Sequence, residues 1–238
     1  QNCDLFICLG GESDAWVETI LEAAEPSGTV MRMIDCVELL EEETVEGMDT
    51  GHEDHDHGLG EVTEYDEHVW TSPVNAQLLV EQIRDVLISL DPGREEIYEK
   101  NAAAYLEELR ALDEDYRQMT ENAKRKTLVF GDRFPFLYLV RTYGLEYYAA
   151  FPGCSGESEP SAATIAFLTD QVEEEGIPVV FQLELSNGRV ADAIAEAAGA
   201  ETEILHSCHT LTVSEAERGE TYLSLMRRNL EALRYALN

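Results

Sequence analysis

A chain of 238 residues with 44% hydrophobic content can build a sizeable core, as one large domain or two ordinary ones. Its 49 acidic and 16 basic residues leave a formal charge of −33, which repels nucleic acid and anionic membranes and concentrates cations. No apolar run approaches the roughly 20 residues that cross a bilayer.

The chain opens without Met and without a signal-like segment: Gln1-Asn2-Cys3-Asp4 runs straight into Leu5–Leu9. That start is expected of a processed product or a fragment. Cys3–Leu9, closed by Gly10-Gly11, reads as a buried strand. Ser13 or Asp14 can cap a helix with its apolar face on Trp16, Val17, Ile20, Leu21 and Ala24. Pro26-Ser27-Gly28 breaks it, and Val30–Cys36 is a second strand. No Lys or Arg occurs between Arg32 and Arg84, and carboxylates and glycines recur, so residues 42–64 are expected to form a mobile acidic loop. Order returns at Tyr65. Thr71-Ser72-Pro73 starts a helix that Asp91-Pro92-Gly93 ends, and a longer helix spans about Arg94–Ala123.

Beyond it the rhythm is regular. Strands at Thr127–Phe130, Leu145–Phe151, Pro178–Leu183 and Glu203–Leu205 alternate with helices at Phe134–Tyr143, Ser161–Glu175, Gly188–Ala198 and Thr221–Leu237. Glycines follow several of the helices, the pattern of parallel βαβ units. Ligands of such sheets bind beyond the carboxyl ends of the strands. Those ends are Gly131-Asp132-Arg133, Pro152–Pro160, Glu184–Asn187 and His206–Thr210. The chain has no P-loop, no Gly-x-Gly-x-x-Gly and no Gly-x-Ser-x-Gly.

Imidazoles set among carboxylates bind divalent transition metals. Four of the six histidines, His52, His55, His57 and His68, lie within Gly51–Pro73. His68, between the acidic loop and a helix start, is the leading ligand candidate, its second ring nitrogen oriented by a carboxylate or carbonyl. The plain alternative is a solvated loop histidine. His206 and His209 follow a strand end, and the alternative there is a histidine that only braces its loop. Glu157 and Glu159 precede a helix, where capping competes with ligation. Cys208 and Asp132 are reserve ligands, and Arg133 can pair with a ligand carboxylate. His52, His55 and His57 sit in a loop too loose for fixed geometry and are read as weak recruiters of metal. The five cysteines (Cys3, Cys8, Cys36, Cys154 and Cys208) contain no Cys-x-x-Cys pair, which disfavours a zinc knuckle, and their odd number leaves at least one thiol unpaired. A Cys154–Cys208 disulfide is the minor alternative to free thiols.

The ordered set of Asp66-Glu67-His68-Val69-Trp70 after a His-rich acidic loop, a long helix, Phe130-Gly131-Asp132-Arg133-Phe134-Pro135-Phe136, Tyr143-Gly144-Leu145, the Gly156–Ser161 stretch and Gly219–Met226 resembles the zinc/manganese substrate-binding proteins of ABC transporters. The resemblance covers essentially the whole chain. It implies an α/β fold of two Rossmann-like lobes with parallel sheets joined by one long helix. The parts would be a partial N-terminal lobe at 1–93, the connecting helix at 94–123 and a C-terminal lobe at 124–238. It implies that one Zn(II), or alternatively Mn(II), sits between the lobes and is handed to a membrane permease. His68 then matches a family ligand, His206 falls where the family usually carries a ligand Asp, and Glu159 lies in the loop that supplies the third ligand. Two departures stand out. The family's first strand, first helix and first ligand His would precede Gln1, leaving the first lobe incomplete and less stable. Gly131–Phe136 also lacks the His that many members carry. His209, Glu157, Cys208 or Asp132 would have to compensate.

The expected protein is a monomeric, extracytoplasmic binding protein, anchored at the cell surface or periplasmic, and not an enzyme. Acidification should release its metal. The rivals are an α/β metallohydrolase using Glu157 or Glu159 as base, and an adhesin-like protein with a structural metal, since members of the resembling family have been linked to adhesion. No His-Glu-x-x-His motif favours the hydrolase.

Overall fold

The computed structural model describes residues 3–24, 28–49, 64–153 and 159–238. Two parallel sheets lie in two lobes. The first is a two-stranded pair, β1 (Leu5–Cys8) and β2 (Thr29–Arg32), in register Leu5↔Thr29 to Cys8↔Arg32. Between them runs α1 (Ala15–Ala24). Its apolar face is less covered than its spacing predicts. Val17 is buried, but Trp16 is 63% and Ile20 54% exposed, because two strands offer too little surface to cover a helix face. Asp14 does not cap α1: its carboxylate accepts from the Leu9 and Gly10 amides and closes the end of β1 instead. The second strand is shorter than expected, since Met33–Cys36 tightens into a 3₁₀ turn.

Residues 41–49 are not a loose loop. Glu41 bridges to Tyr65, and the Asp49 amide donates to the Ala150 carbonyl at 2.9 Å. Val45 and Met48 pack on the core of the other lobe, and Glu43 pairs with Arg141. A stretch read as solvated from its carboxylates is held by the few apolar residues spaced along it.

Two helices form the spine. Ser72 caps α2 (Pro73–Leu90) by accepting from the Asn75 amide, with Pro at the first turn. After a 3₁₀ turn at Pro92–Arg94, α3 (Glu95–Asn122) runs for 28 residues, about 42 Å at 1.5 Å per residue. Its buried stripe of Ala102, Leu106, Leu109, Leu112, Tyr116 and Met119 recurs at helical spacing.

The second sheet has the order β4-β3-β5-β6, from β3 (Thr127–Phe134), β4 (Glu146–Pro152), β5 (Val179–Gln182) and β6 (Glu201–Ile204), all parallel. Its core strands Leu128–Phe130 and Val179–Phe181 are fully buried, as expected of strands covered on both faces. One face packs on α3, α4 (Leu137–Tyr143) and α8 (Tyr222–Leu237), the other on α5 (Ala162–Glu175) and α6 (Arg189–Ala198). Glycines in the left-handed region end α4, α5 and α6. The short α7 (Val213–Arg218), opened by a capping box of Thr212 and Glu215, is absent from the sequence reading. None of the described helices is long and apolar enough to cross a membrane.

Candidate metal centre

The strand order reverses direction between β3, which leads outward to β4, and β5, which leads to β6. Loops leaving the two strands at that switch diverge and open a crevice. Here it is a cleft of about 370 Å³. Arg133 and Pro135 line it from β3, Leu183–Ser186 from β5, Ser207, His209 and Thr210 from β6, and Gly153 from β4. The first lobe closes the opposite side with Leu9, Ser13, Glu67, His68 and Trp70.

His68 stands just before the 3₁₀ turn Val69–Thr71 that leads into α2. Its ring Nδ1 lies 3.3 Å from Asp66 Oδ1, which also accepts from the His68 amide at 2.8 Å. A carboxylate on Nδ1 fixes the tautomer and leaves Nε2 with the lone pair a metal needs. Asp66 is held in turn, since Tyr138 donates its hydroxyl to the Asp66 carbonyl and receives the Leu40 amide. The wall beside His68 demands glycine: a Cβ on Gly153 would stand 2.8 Å from the Phe134 carbonyl and 3.4 Å from His68 Cε1.

His209 comes from the loop after β6. Its ring centroid is 6.4 Å from that of His68, and each lies 5.6 Å from the Trp70 ring. The loop is braced by Ser207, which donates its amide (2.9 Å) and hydroxyl (2.6 Å) to the two carboxylate oxygens of Glu184 and accepts the His209 amide at 3.2 Å. A tetrahedral zinc with Zn–N near 2.0–2.1 Å brings two imidazole centroids to roughly 5 Å. The observed spacing is wider by about an ångström, within reach of a small rotation of an exposed His209. Glu67, also in the cleft, is engaged by the Ser13 amide and hydroxyl. Among the described residues, no three His, Cys, Asp or Glu side chains converge ready-made on one point.

The other candidates lie elsewhere. His206 is fully buried and does not line the cleft. Asn229 holds its backbone through both amide and carbonyl, the Cys208 amide donates to its Nδ1, and its Nε2 faces Glu215 at 3.6 Å. His206 thus braces the loop, and of the two histidines it is His209 that lines the cleft. Cys208, at a positive φ of 59°, packs on the core and is a free thiol. Burial, then the Glu184 carboxylate, pushes its thiol up to about 12. Asp132 accepts from the Arg133 and Leu183 amides and ties β3 to β5 outside the cleft lining. Glu159 is exposed and is not a lining residue either. Glu157, Cys154, His52, His55 and His57 lie outside the described residues. Glu184 and Trp70 were not singled out from sequence. The available signal for Glu184 was its place directly after the third strand of the second sheet.

Residues 1–236 match the model of the family described as ZnuA, zinc-uptake complex component A, periplasmic. The chain belongs to this family. It is 38% identical over 237 residues to the zinc-binding lipoprotein AdcA of Streptococcus pneumoniae serotype 4, a match covering 98% of this chain and 46% of AdcA. It is 34% identical over 241 residues to the high-affinity zinc uptake system protein ZnuA of Bacillus subtilis, covering 100% of this chain and 73% of that protein. The crystal structure of the Zn(II)-bound ZnuA-like domain of S. pneumoniae AdcA superposes with a TM-score of 0.77 at 33% identity, covering 100% of this chain and 81% of that one. The chain spans about half the length of AdcA. The two-lobed α/β architecture with its long helix is thus that of a ZnuA-family protein.

Proposed function

We propose that this chain is the metal-capturing part of an extracytoplasmic zinc-binding protein that passes Zn(II) to an ABC-transporter permease. Zinc is its cargo, and it is not an enzyme. The observation that carries the reading is the His68–His209 pair: two imidazoles from opposite lobes meet in one cleft, and a carboxylate orients one of them. Glu184, pinned through Ser207 in the same cleft, is the carboxylate we assign to complete the shell. Borderline imidazole donors favour zinc over manganese, which stands second. The net charge of −33 draws dications toward the protein, and His52, His55 and His57 add weak recruitment. The names of AdcA and of the B. subtilis protein support the cargo and the uptake role.

In this reading the working unit is a monomer held outside the cytoplasm by an anchor. Its parts are a first lobe at 1–93, a connecting helix at 94–123 and a second lobe at 124–238. Acidification protonates the imidazoles and releases the ion. Zinc titration with elemental analysis on the chain, His68→Ala and His209→Ala tests it. Near-stoichiometric tight binding by the chain, lost in both variants, is expected. Tight binding that survives both changes sinks the proposal.

A further inference from the structure

Trp70 lies against both imidazoles of the cleft, with its ring centroid 5.6 Å from that of His68 and 5.6 Å from that of His209. It also crosses between lobes. Its Nε1 donates to the Ser207 carbonyl at 2.9 Å, across 137 positions of sequence. Its own carbonyl accepts the Tyr222 hydroxyl at 2.8 Å. Ser207 is the residue that grips Glu184 and receives the His209 amide. One indole therefore connects the wall that carries His68 to the loop that carries His209 and to the carboxylate beneath it.

We infer that Trp70 is a positioning residue that latches the two lobes together and sets the rate at which the cargo leaves. The inference rests on the zinc-binding reading above. The latch costs the cleft nothing in ligands, because Trp has no lone pair for the metal and its N–H is spent on a carbonyl. Its energetic effect is that of one neutral hydrogen bond plus a ring contact, too small to abolish binding and large enough to tune release. Holding His209 near its bound position also reduces the ordering that capture would otherwise require.

The test is zinc release into a chelator, followed by stopped flow, for the chain, Trp70→Phe, Tyr222→Phe, His68→Ala and His209→Ala. Trp70→Phe keeps an aromatic ring and removes the donor. It should speed release about five- to ten-fold, the scale of one lost hydrogen bond, with association unchanged. Tyr222→Phe loosens the same turn from its other side and should shift release in the same direction, less strongly. It also serves if Trp70→Phe does not fold. Urea midpoints of the metal-free proteins separate positioning from general support: positioning speeds release with the midpoint close to the wild type, whereas simple structural loss lowers the midpoint and slows association as well. Wild-type release by folded Trp70→Phe and Tyr222→Phe, or faster release only in step with a lowered midpoint and slowed association, overturns the latch. If His68→Ala and His209→Ala leave zinc binding intact, the metal-site reading fails and the latch fails with it. If they abolish binding while Trp70→Phe releases like the wild type, the latch alone fails.

Discussion

Asp66 grips His68 twice through a single oxygen, taking the backbone amide at 2.8 Å and the ring Nδ1 at 3.3 Å. The first contact turns the chain and the second aims the ring, so a residue two positions away decides which imidazole nitrogen faces the cleft. Removing this carboxylate should free the ring to rotate and exchange tautomers. Asp66→Ala is expected to weaken zinc binding about ten-fold or more without removing a ligand. A zinc competition titration checks it, and an unchanged affinity would detach Asp66 from the site.

The two histidines of the 206–209 loop should separate cleanly. His209→Ala should lose zinc affinity and keep its stability, because the side chain is exposed. His206→Ala removes a fully buried ring and leaves the Cys208 amide without its acceptor. It should cost about 2 kcal/mol in denaturant unfolding, measured on the metal-free protein. The opposite assignment would show as zinc loss in His206→Ala at unchanged stability.

Glu215 sits where Arg228 and the Thr212 cap both favour its ionised form. Arg228 first, then the Thr212 amide and hydroxyl, pull its carboxyl down to about 2 from an ordinary value of 4.5. A depressed folded value stabilises the protein above the unfolded value and ceases to do so as pH falls through the folded one. Glu215→Gln should therefore be less stable than the wild type at pH 7. The gap should narrow from about pH 4.5 down toward pH 2. Urea midpoints of both proteins across that range measure it, and a gap that widens on acidification would contradict the assignment.

Gly153→Ala probes the wall behind His68. The added methyl would meet the Phe134 carbonyl at 2.8 Å, so backbone must shift where β4 leaves the sheet. A stability loss of about 1–3 kcal/mol is expected, together with weaker zinc binding, because the same shift reaches Asp66 and His68. Thermal melts and zinc titration on one preparation check both. An unperturbed protein would mean that this wall is softer than its contacts indicate.

Local signals carried far along the chain. Alternating strand and helix patterns, with glycine after several helices, located the β3–β6 sheet and its helices to within a few residues. Ser72-Pro73 marked the start of α2, because a cap and a first-turn proline act through neighbours. His68 was legible for the same reason, since its orienting carboxylate is two residues away. The acidic run misled where long-range packing took over: nothing local says that Val45, Met48 and Asp49 dock on the other lobe. The six-residue α7 and the exposed face of α1 escaped for related reasons. One is too short to show a period, and the other depends on how much sheet lies beneath it.

The residues themselves determined that this is a strongly acidic α/β chain with imidazoles at strand ends, because periodicity, caps and composition act over a few positions; its two lobes were implied only by the family resemblance. Which imidazoles share a cleft was decided only in three dimensions. His206 and His209 are three residues apart and equally suited to a metal by chemistry. Asn229, Glu215 and the left-handed turn at Cys208 bury the first, and Ser207, held by Glu184 and Trp70, presents the second. Asn229, Glu215, Glu184 and Trp70 lie 9 to 137 positions from the loop residues they hold, beyond the reach of any local pattern.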